Sequence, residues 1–187
     1  MNPLRRLRED RARARELNDP YAELCALATV DSRRNPQVRT LVLRDLDGRL
    51  AVFVNASSPK WPSMDRVAAA LFLASLDIQY RLECRTEPVP GETVQASWQL
   101  RPETPKRLDW LYEKRPQSSV LASREQLLAE LAAAPVPDPP VAPDSARGLY
   151  LVPEEIERLD LSHDGGIHDR RRWTLAEGEW REQVLVP

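Results

Sequence analysis

The chain has 187 residues, 42% of them hydrophobic, enough for one domain with a sizeable core and unlike a disordered segment. A formal net charge of −2 at pH 7 excludes the strongly basic balance expected if nucleic acid or an anionic membrane were the main partner. No apolar run approaches the length of a membrane span, and the charged N-terminus lacks the apolar stretch of a secretion signal, so the expectation is a cytoplasmic protein.

Residues 1–18 read as an Arg-rich N-terminal arm, helix-prone over 3–17, with few apolar side chains (Leu4, Leu7, Ala14, Leu17) to bury. It is either a solvated helix with i,i+4 charge pairs or a basic flap over an anionic ligand. Asp19-Pro20 supplies an N-cap and an N1 proline for a short helix over 21–24. Cys25–Asp31 and Gln37–Arg44 flank a polar turn, a hairpin signal, and Asp47-Gly48 turns the chain into a strand over 50–55. Ser58-Pro59 predicts a capped helix running toward Ala70, with strand character resuming over 71–76. The cleanest alternation follows. Ile78, Tyr80, Leu82 and Cys84 share one face while Gln79, Arg81, Glu83 and Arg85 share the other, as in an antiparallel strand with one buried face.

Helical patterns return over 91–101, after Thr104-Pro105, and after Ser123, which forms a capping box with Gln126. The proline-rich connector 135–144 is stiff and extended but too short to separate a domain, so 19–187 is expected to be one domain. Strand-like segments close the chain at 149–152, 156–161, 172–175 and 180–186. The fold class is therefore α+β, mainly β: an antiparallel barrel with flanking helices. Cys25 and Cys84 lie in apolar runs without C-x-x-C spacing; they read as small buried hydrophobes, and no metal site is expected.

One short motif carries chemistry. Gly165-Gly166-Ile167-His168-Asp169-Arg170 places an imidazole beside fixed guanidinium groups, a set suited to an anionic, ring-bearing ligand. The bland reading is a solvated turn with local ion pairs. Its order within the chain says more. Arg39-Thr-Leu-Val-Leu-Arg44 is followed by Val52-Phe-Val-Asn55, Ser57-Ser58-Pro59-Lys60, Gln79-Tyr-Arg-Leu-Glu83, Arg101-Pro102, Gln117-Ser118-Ser119 and His168-Asp169-Arg170. This succession resembles the pyridoxamine 5′-phosphate oxidase family of FMN-binding split-barrel flavoproteins, from about residue 19 to the end.

The resemblance implies an antiparallel split β-barrel, FMN as cofactor and a homodimer with the FMN site shared across its interface. Arg39 and Lys60 match the basic residues that grip the FMN phosphate, with the Ser58 hydroxyl and a helix N-terminus nearby. Gln79 matches a glutamine at the flavin ring. Gln117 and Ser118 match a pair that reaches FMN from the partner subunit, and Arg170 matches a C-terminal arginine serving the same cofactor. On the substrate side, Arg44 and Arg101 match cations for the substrate phosphate, and His168 matches the catalytic, substrate-contacting histidine. Here the sequence departs from the family. Ser97 stands for a tyrosine, Pro105 for a serine and Gly166 for an arginine, and Arg44 replaces a lysine. On the cofactor side Pro59 interrupts the Ser-Arg-Lys grip, Leu159 replaces a tryptophan and Ala146-Arg147-Gly148 replaces Trp-Gly-Gly.

Three functions stay open at this level. The first is an FMN-dependent oxidoreductase that moves a hydride from a small anionic substrate to FMN. The second is a genuine pyridoxamine or pyridoxine 5′-phosphate oxidase. The third is a non-catalytic flavin-binding or FMN-less dimeric module.

Overall fold

Asn2 opens helix α1 (Pro3–Glu16): its side chain accepts from the amides of Leu4 at 3.0 Å and Arg5 at 3.3 Å, and Pro3 occupies the first turn. The structure is a computed structural model that describes residues 2–162 and 164–187; Met1, where the arm begins, and His163 lie outside the described residues. After α1 come strands β1 (Leu24–Val30), β2 (Pro36–Val42), β3 (Arg44–Leu46), β4 (Arg49–Asn55), β5 (Arg66–Leu73) and β6 (Ile78–Pro88). Helices α2 (Gly91–Gln99), α3 (Glu103–Lys114) and α4 (Arg124–Ala132) follow, then β7 (Ala146–Asp160), β8 (Asp169–Ala176) and β9 (Glu179–Leu185).

The chain divides into two compact units, one of Met1–Leu50, Ser63–Thr86 and Leu151–Pro187, the other of Ala51–Pro62 and Glu87–Tyr150. The first unit carries the antiparallel order β2-β1-β5-β6-β7, extended by β8 on β7 and β9 on β8. Its core is the inward face of these strands: Leu27, Leu71, Leu73, Tyr80, Leu82 and Ile156 are all fully buried. Each such side chain contributes roughly 1.5–3 kcal/mol of hydrophobic burial. The second unit carries β4 beside β7, together with α2, α3 and α4.

Several expectations hold in detail. The β1–β2 hairpin pairs Cys25 with Leu41 and Leu27 with Arg39. Asp47 (φ 51°) and Gly48 (φ 72°) turn the chain from β3 to β4 with both residues left-handed, as a tight hairpin requires. β6 buries Ile78, Tyr80, Leu82 and Cys84 as its alternation predicts. Ser123 caps α4 by accepting from the Gln126 amide at 3.2 Å, and the Gln126 side chain reaches back to the Ala122 amide at 3.0 Å.

Three expectations about the elements are corrected. The helix expected over 58–70 is absent: after a three-residue 3-10 turn (Trp61–Ser63) the chain becomes β5, burying Val67, Ala69, Leu71 and Leu73 alternately. Period two overrides the helix preference of the alanine run. Of residues 21–24, expected as a helix, 21–23 form a turn and Leu24 already begins β1. Asp19 still accepts from the Tyr21 amide at 2.8 Å, but its other oxygen takes the Ser75 amide, also at 2.8 Å, which ties the turn to a distant loop. The segments expected at 149–152 and 156–161 are one strand, β7, running through Pro153.

The arm buries more than its composition suggested. Leu7, Arg11 and Ala14 of α1 are fully buried. The Arg11 guanidinium donates to the carbonyls of Ala22 (3.1 Å) and Leu43 (2.9 Å) and to Asp45 (2.8 Å). Next to it along the helix, Asp10 accepts from the Tyr80 hydroxyl (2.5 Å) and from Arg158 (3.0 Å). Burial pushes the Tyr80 phenol well above its usual range, and its bond to Asp10 pushes it further. Desolvation of a buried guanidinium is costly unless every donor is met. Arg11 therefore serves as a structural anchor for the helix, not as part of a basic flap.

Candidate functional site

The loop after β4 gathers the residues best suited to hold a phosphate. Asn55 starts it: its side-chain oxygen accepts from the Ser57 amide at 2.9 Å and its amide donates to the Ser145 hydroxyl at 2.9 Å. The Ser58 amide then donates to the Asn55 carbonyl at 3.1 Å, and the Ser58 carbonyl accepts from Trp61 at 2.9 Å. This tight turn brings the Lys60 ammonium to 2.7 Å from the Ser58 hydroxyl. From the segment after α3, Gln117 anchors its amide on the Ser57 hydroxyl at 3.0 Å and places its side-chain oxygen 3.5 Å from Lys60. Ser118 follows, exposed, with a left-handed backbone (φ 73°). A cation, hydroxyls and an amide thus converge within one unit, a donor set that fits a phosphate group.

Two features differ from what the resemblance implied. No α-helix begins at Ser58, so no long helix dipole stands behind Lys60 and the turn amides. Gln117 meets Lys60 within a single chain, so this pair does not by itself call for a second copy.

The first unit holds the other cofactor candidates. Arg39 on β2 is half-buried, donating to the Thr29 hydroxyl at 2.8 Å and the Leu27 carbonyl at 3.3 Å, and burial lowers its pKa. Gln79 on β6 sits opposite Phe72 of β5, on the sheet face that is not the core. Arg170 on β8 is gripped by Glu157 of β7, and the same carboxylate lies 3.5 Å from Arg81. The Glu157 pairing raises the Arg170 pKa.

The substrate-side candidates are divided as well. Arg44 is exposed on β3 and His168 is exposed just before β8. At Gly166 (φ 73°) an added β-carbon meets nothing within 4 Å, so an arginine there is opposed by backbone conformation rather than by space. Arg101, just past α2, is engaged by Asp109 of α3. Asp109 is a residue that sequence reading missed. It is buried, accepts from the Trp98 indole at 2.9 Å, and its carboxyl pKa is raised by burial against the opposing pull of Arg101. Glu157 and Thr29 were also missed: Thr29 is a lone polar residue in the apolar run of β1, a signal that was available, whereas Glu157 stands among the other charged residues of β7 and offers none. Among the described residues no cluster of His, Cys, Asp or Glu could hold a metal ion, and no helix is long and apolar enough to cross a membrane.

No family model matches the chain. It is, however, 34% identical over 173 residues to the pyridoxine/pyridoxamine 5′-phosphate oxidase of Pseudomonas entomophila, an alignment covering 89% of this chain and 79% of the relative. The chain belongs to the pyridoxine/pyridoxamine 5′-phosphate oxidase family. The enzyme of the same name from Pseudomonas paraeruginosa is 33% identical over 168 residues, 86% of this chain and 76% of that protein. Among solved structures, PhzG from Burkholderia lata, in complex with tetrahydrophenazine-1-carboxylic acid, matches with a TM-score of 0.83 at 21% identity. That match covers 99% of this chain and 92% of PhzG. A pyridoxamine 5′-phosphate oxidase-related, FMN binding protein from Nostoc punctiforme matches with a TM-score of 0.80 at 20% identity, over 100% and 98% of the two chains. These likenesses fix the fold as the antiparallel split barrel of this family.

Proposed function

We propose that the protein is an FMN-dependent oxidoreductase acting on a small anionic substrate. The observation that carries this reading is the convergence of Lys60, Ser58 and Gln117 on one loop, a donor set that fits the FMN phosphate. Ser118 follows in the same segment, and the family resemblance adds Arg39, Gln79 and Arg170. FMN held there supplies the redox chemistry by accepting a hydride. The protein's residues bind and orient. Lys60 and the Ser58 hydroxyl offset the phosphate charge, Arg44 and Arg101 attract the anionic group of the substrate, and a ring nitrogen of His168 holds or releases a proton near the reacting centre.

A homodimer belongs to this reading. β1, β2 and β5 present a face of small and apolar side chains in register, with Val38 opposite Ala28 and Ala28 opposite Ala68. Val38 is 71% exposed there. A second copy covering such a face and sharing the FMN site would bury well over roughly 2,000 Å², the range of obligate dimers.

A second reading, a genuine pyridoxamine 5′-phosphate oxidase, is favoured by the 34% identity to an enzyme of that name. Against it stand Gly166, Ser97 and Pro105, which remove donors the family uses on this substrate. Each lost charge-assisted contact present in the transition state costs about 2–3 kcal/mol, or roughly 30- to 150-fold in rate. Steady-state turnover of the FMN-loaded protein on pyridoxamine 5′-phosphate, beside Gly166→Arg, separates the two. Weak turnover supports the first reading; efficient turnover, unchanged by the added arginine, establishes the second.

A further inference from the structure

Arg101 is one of the two cations that the reading above assigns to the substrate's anionic group, and its surroundings say what kind of anion it can take. Its side chain is 40% exposed, while that of its partner Asp109 is 7% exposed. Asp109 lies on α3 with its carboxylate turned inward, where it also accepts from the Trp98 indole at 2.9 Å. The nearby Lys106 ammonium is directed to the Gln99 carbonyl at 2.7 Å, over the Trp98 ring at 5.3 Å from its centre. A ligand reaching Arg101 from solvent therefore meets a guanidinium whose charge is already balanced by a fixed, desolvated carboxylate.

We propose that Asp109 sets the charge preference of the substrate site, balancing Arg101 so that it takes a singly charged carboxylate in preference to a phosphate monoester dianion. The inference rests on Arg101 being a substrate contact. Its physical basis is that attraction to a cation grows linearly with ligand charge, whereas the cost of stripping water from the ligand grows with the square of that charge. A bare guanidinium can offset the larger cost of a dianion. A guanidinium with a carboxylate beside it offers less attraction, and the dianion suffers twice the repulsion from Asp109 that a monoanion does. The planar fork of Arg101 still matches a carboxylate in shape. Ser97 and Pro105, on α2 and α3 respectively, bring neither a cation nor a phenol to restore phosphate binding.

The test compares two ligands that share one ring: 1-naphthoate and 1-naphthyl phosphate. Both are titrated by naphthalene fluorescence against the FMN-loaded protein, at about pH 8 where the monoester is a dianion. Wild type is expected to bind the carboxylate at least about tenfold more tightly, and Asp109→Asn to shift the ratio at least about tenfold toward the phosphate. Asp109→Glu, which keeps the charge, should retain the wild-type order. A merely structural role for Asp109 would move both affinities together and leave their ratio alone. Tighter binding of the phosphate by wild type overturns the proposal even if the Asn variant fails to fold, as does a ratio unchanged in a folded Asn variant. The protein's flavin colour separates the two levels: colourless protein counts against the cofactor reading, whereas yellow protein that prefers the phosphate counts against Asp109 alone. Should the protein be colourless, the same titrations in a Lys60→Gln background still decide, since the competing phosphate-binding cation is then gone.

Discussion

Glu157 grips Arg170 through two guanidinium nitrogens at once, at 3.1 Å to each carboxylate oxygen, between strands β7 and β8. The carboxylate is nearly buried and fixes the arginine's plane; on the proposed reading it thereby positions a cofactor ligand. Glu157→Gln should cost about 1–3 kcal/mol in stability and weaken FMN binding by about tenfold. Quenching of FMN fluorescence on titration, read beside a thermal melt, checks both. Unchanged FMN affinity in a destabilised variant would remove Arg170 from the cofactor site.

The half-buried Lys60 ammonium faces hydroxyl and amide oxygens of a loop and packs into no apolar core. Lys60→Glu is therefore expected to abolish FMN retention and leave the melting temperature within a few degrees of wild type, since surface changes usually cost under about 0.5 kcal/mol. Flavin absorbance after gel filtration gives the answer. A variant that keeps its flavin would place the phosphate elsewhere.

Leu7 is fully buried on α1 beside the Arg11 anchor. Leu7→Ala should cost about 2–4 kcal/mol and lower the melting temperature by roughly 5–15 °C. A solvated arm would show almost no change, so calorimetry on this one variant distinguishes the two descriptions of the N-terminus.

The cysteines give the chain an alkaline sensitivity. Burial raises Cys25 from 9.0 to about 11 and Cys84 to about 12, the reverse of the usual carboxylate shift. A thiol whose folded pKa exceeds its unfolded value contributes stability that is complete below the unfolded pKa and lost as pH rises through the folded one. Stability should thus decline from about pH 9 to about pH 12 as thiolates form in the unfolded chain. Denaturant midpoints across that window, compared with a Cys25→Ala/Cys84→Ala variant, should show a shallower decline in the variant. Equal slopes would assign the effect to other groups.

Much of the fold was legible because one signal dominated locally. The β6 alternation, the Asp47-Gly48 turn and the Ser123 cap each have a single physical meaning, and each appears where it was expected. β5 was not legible: its outward face is Ala68, Ala70 and Phe72, so buried and exposed positions look alike, and Ser58-Pro59 imitates a helix start. Arg11 could not be told from the other arginines of α1, since what distinguishes it is the pair of carbonyls and carboxylates supplied by residues 22–45. The candidate site was read in part by family likeness, which located Lys60, Ser58 and Gln117. It could not reveal Asp109 or Glu157, which hold the candidate residues Arg101 and Arg170 and leave no motif.

Flavin content is the most direct test of the account. Protein purified without added cofactor, then saturated with FMN and freed of excess, should be yellow and carry one FMN per subunit, with the stoichiometry read from flavin absorbance against protein concentration. Protein that stays colourless after saturation, while folded and melting cooperatively, would contradict the central claim that Lys60, Ser58 and Gln117 form a flavin phosphate site.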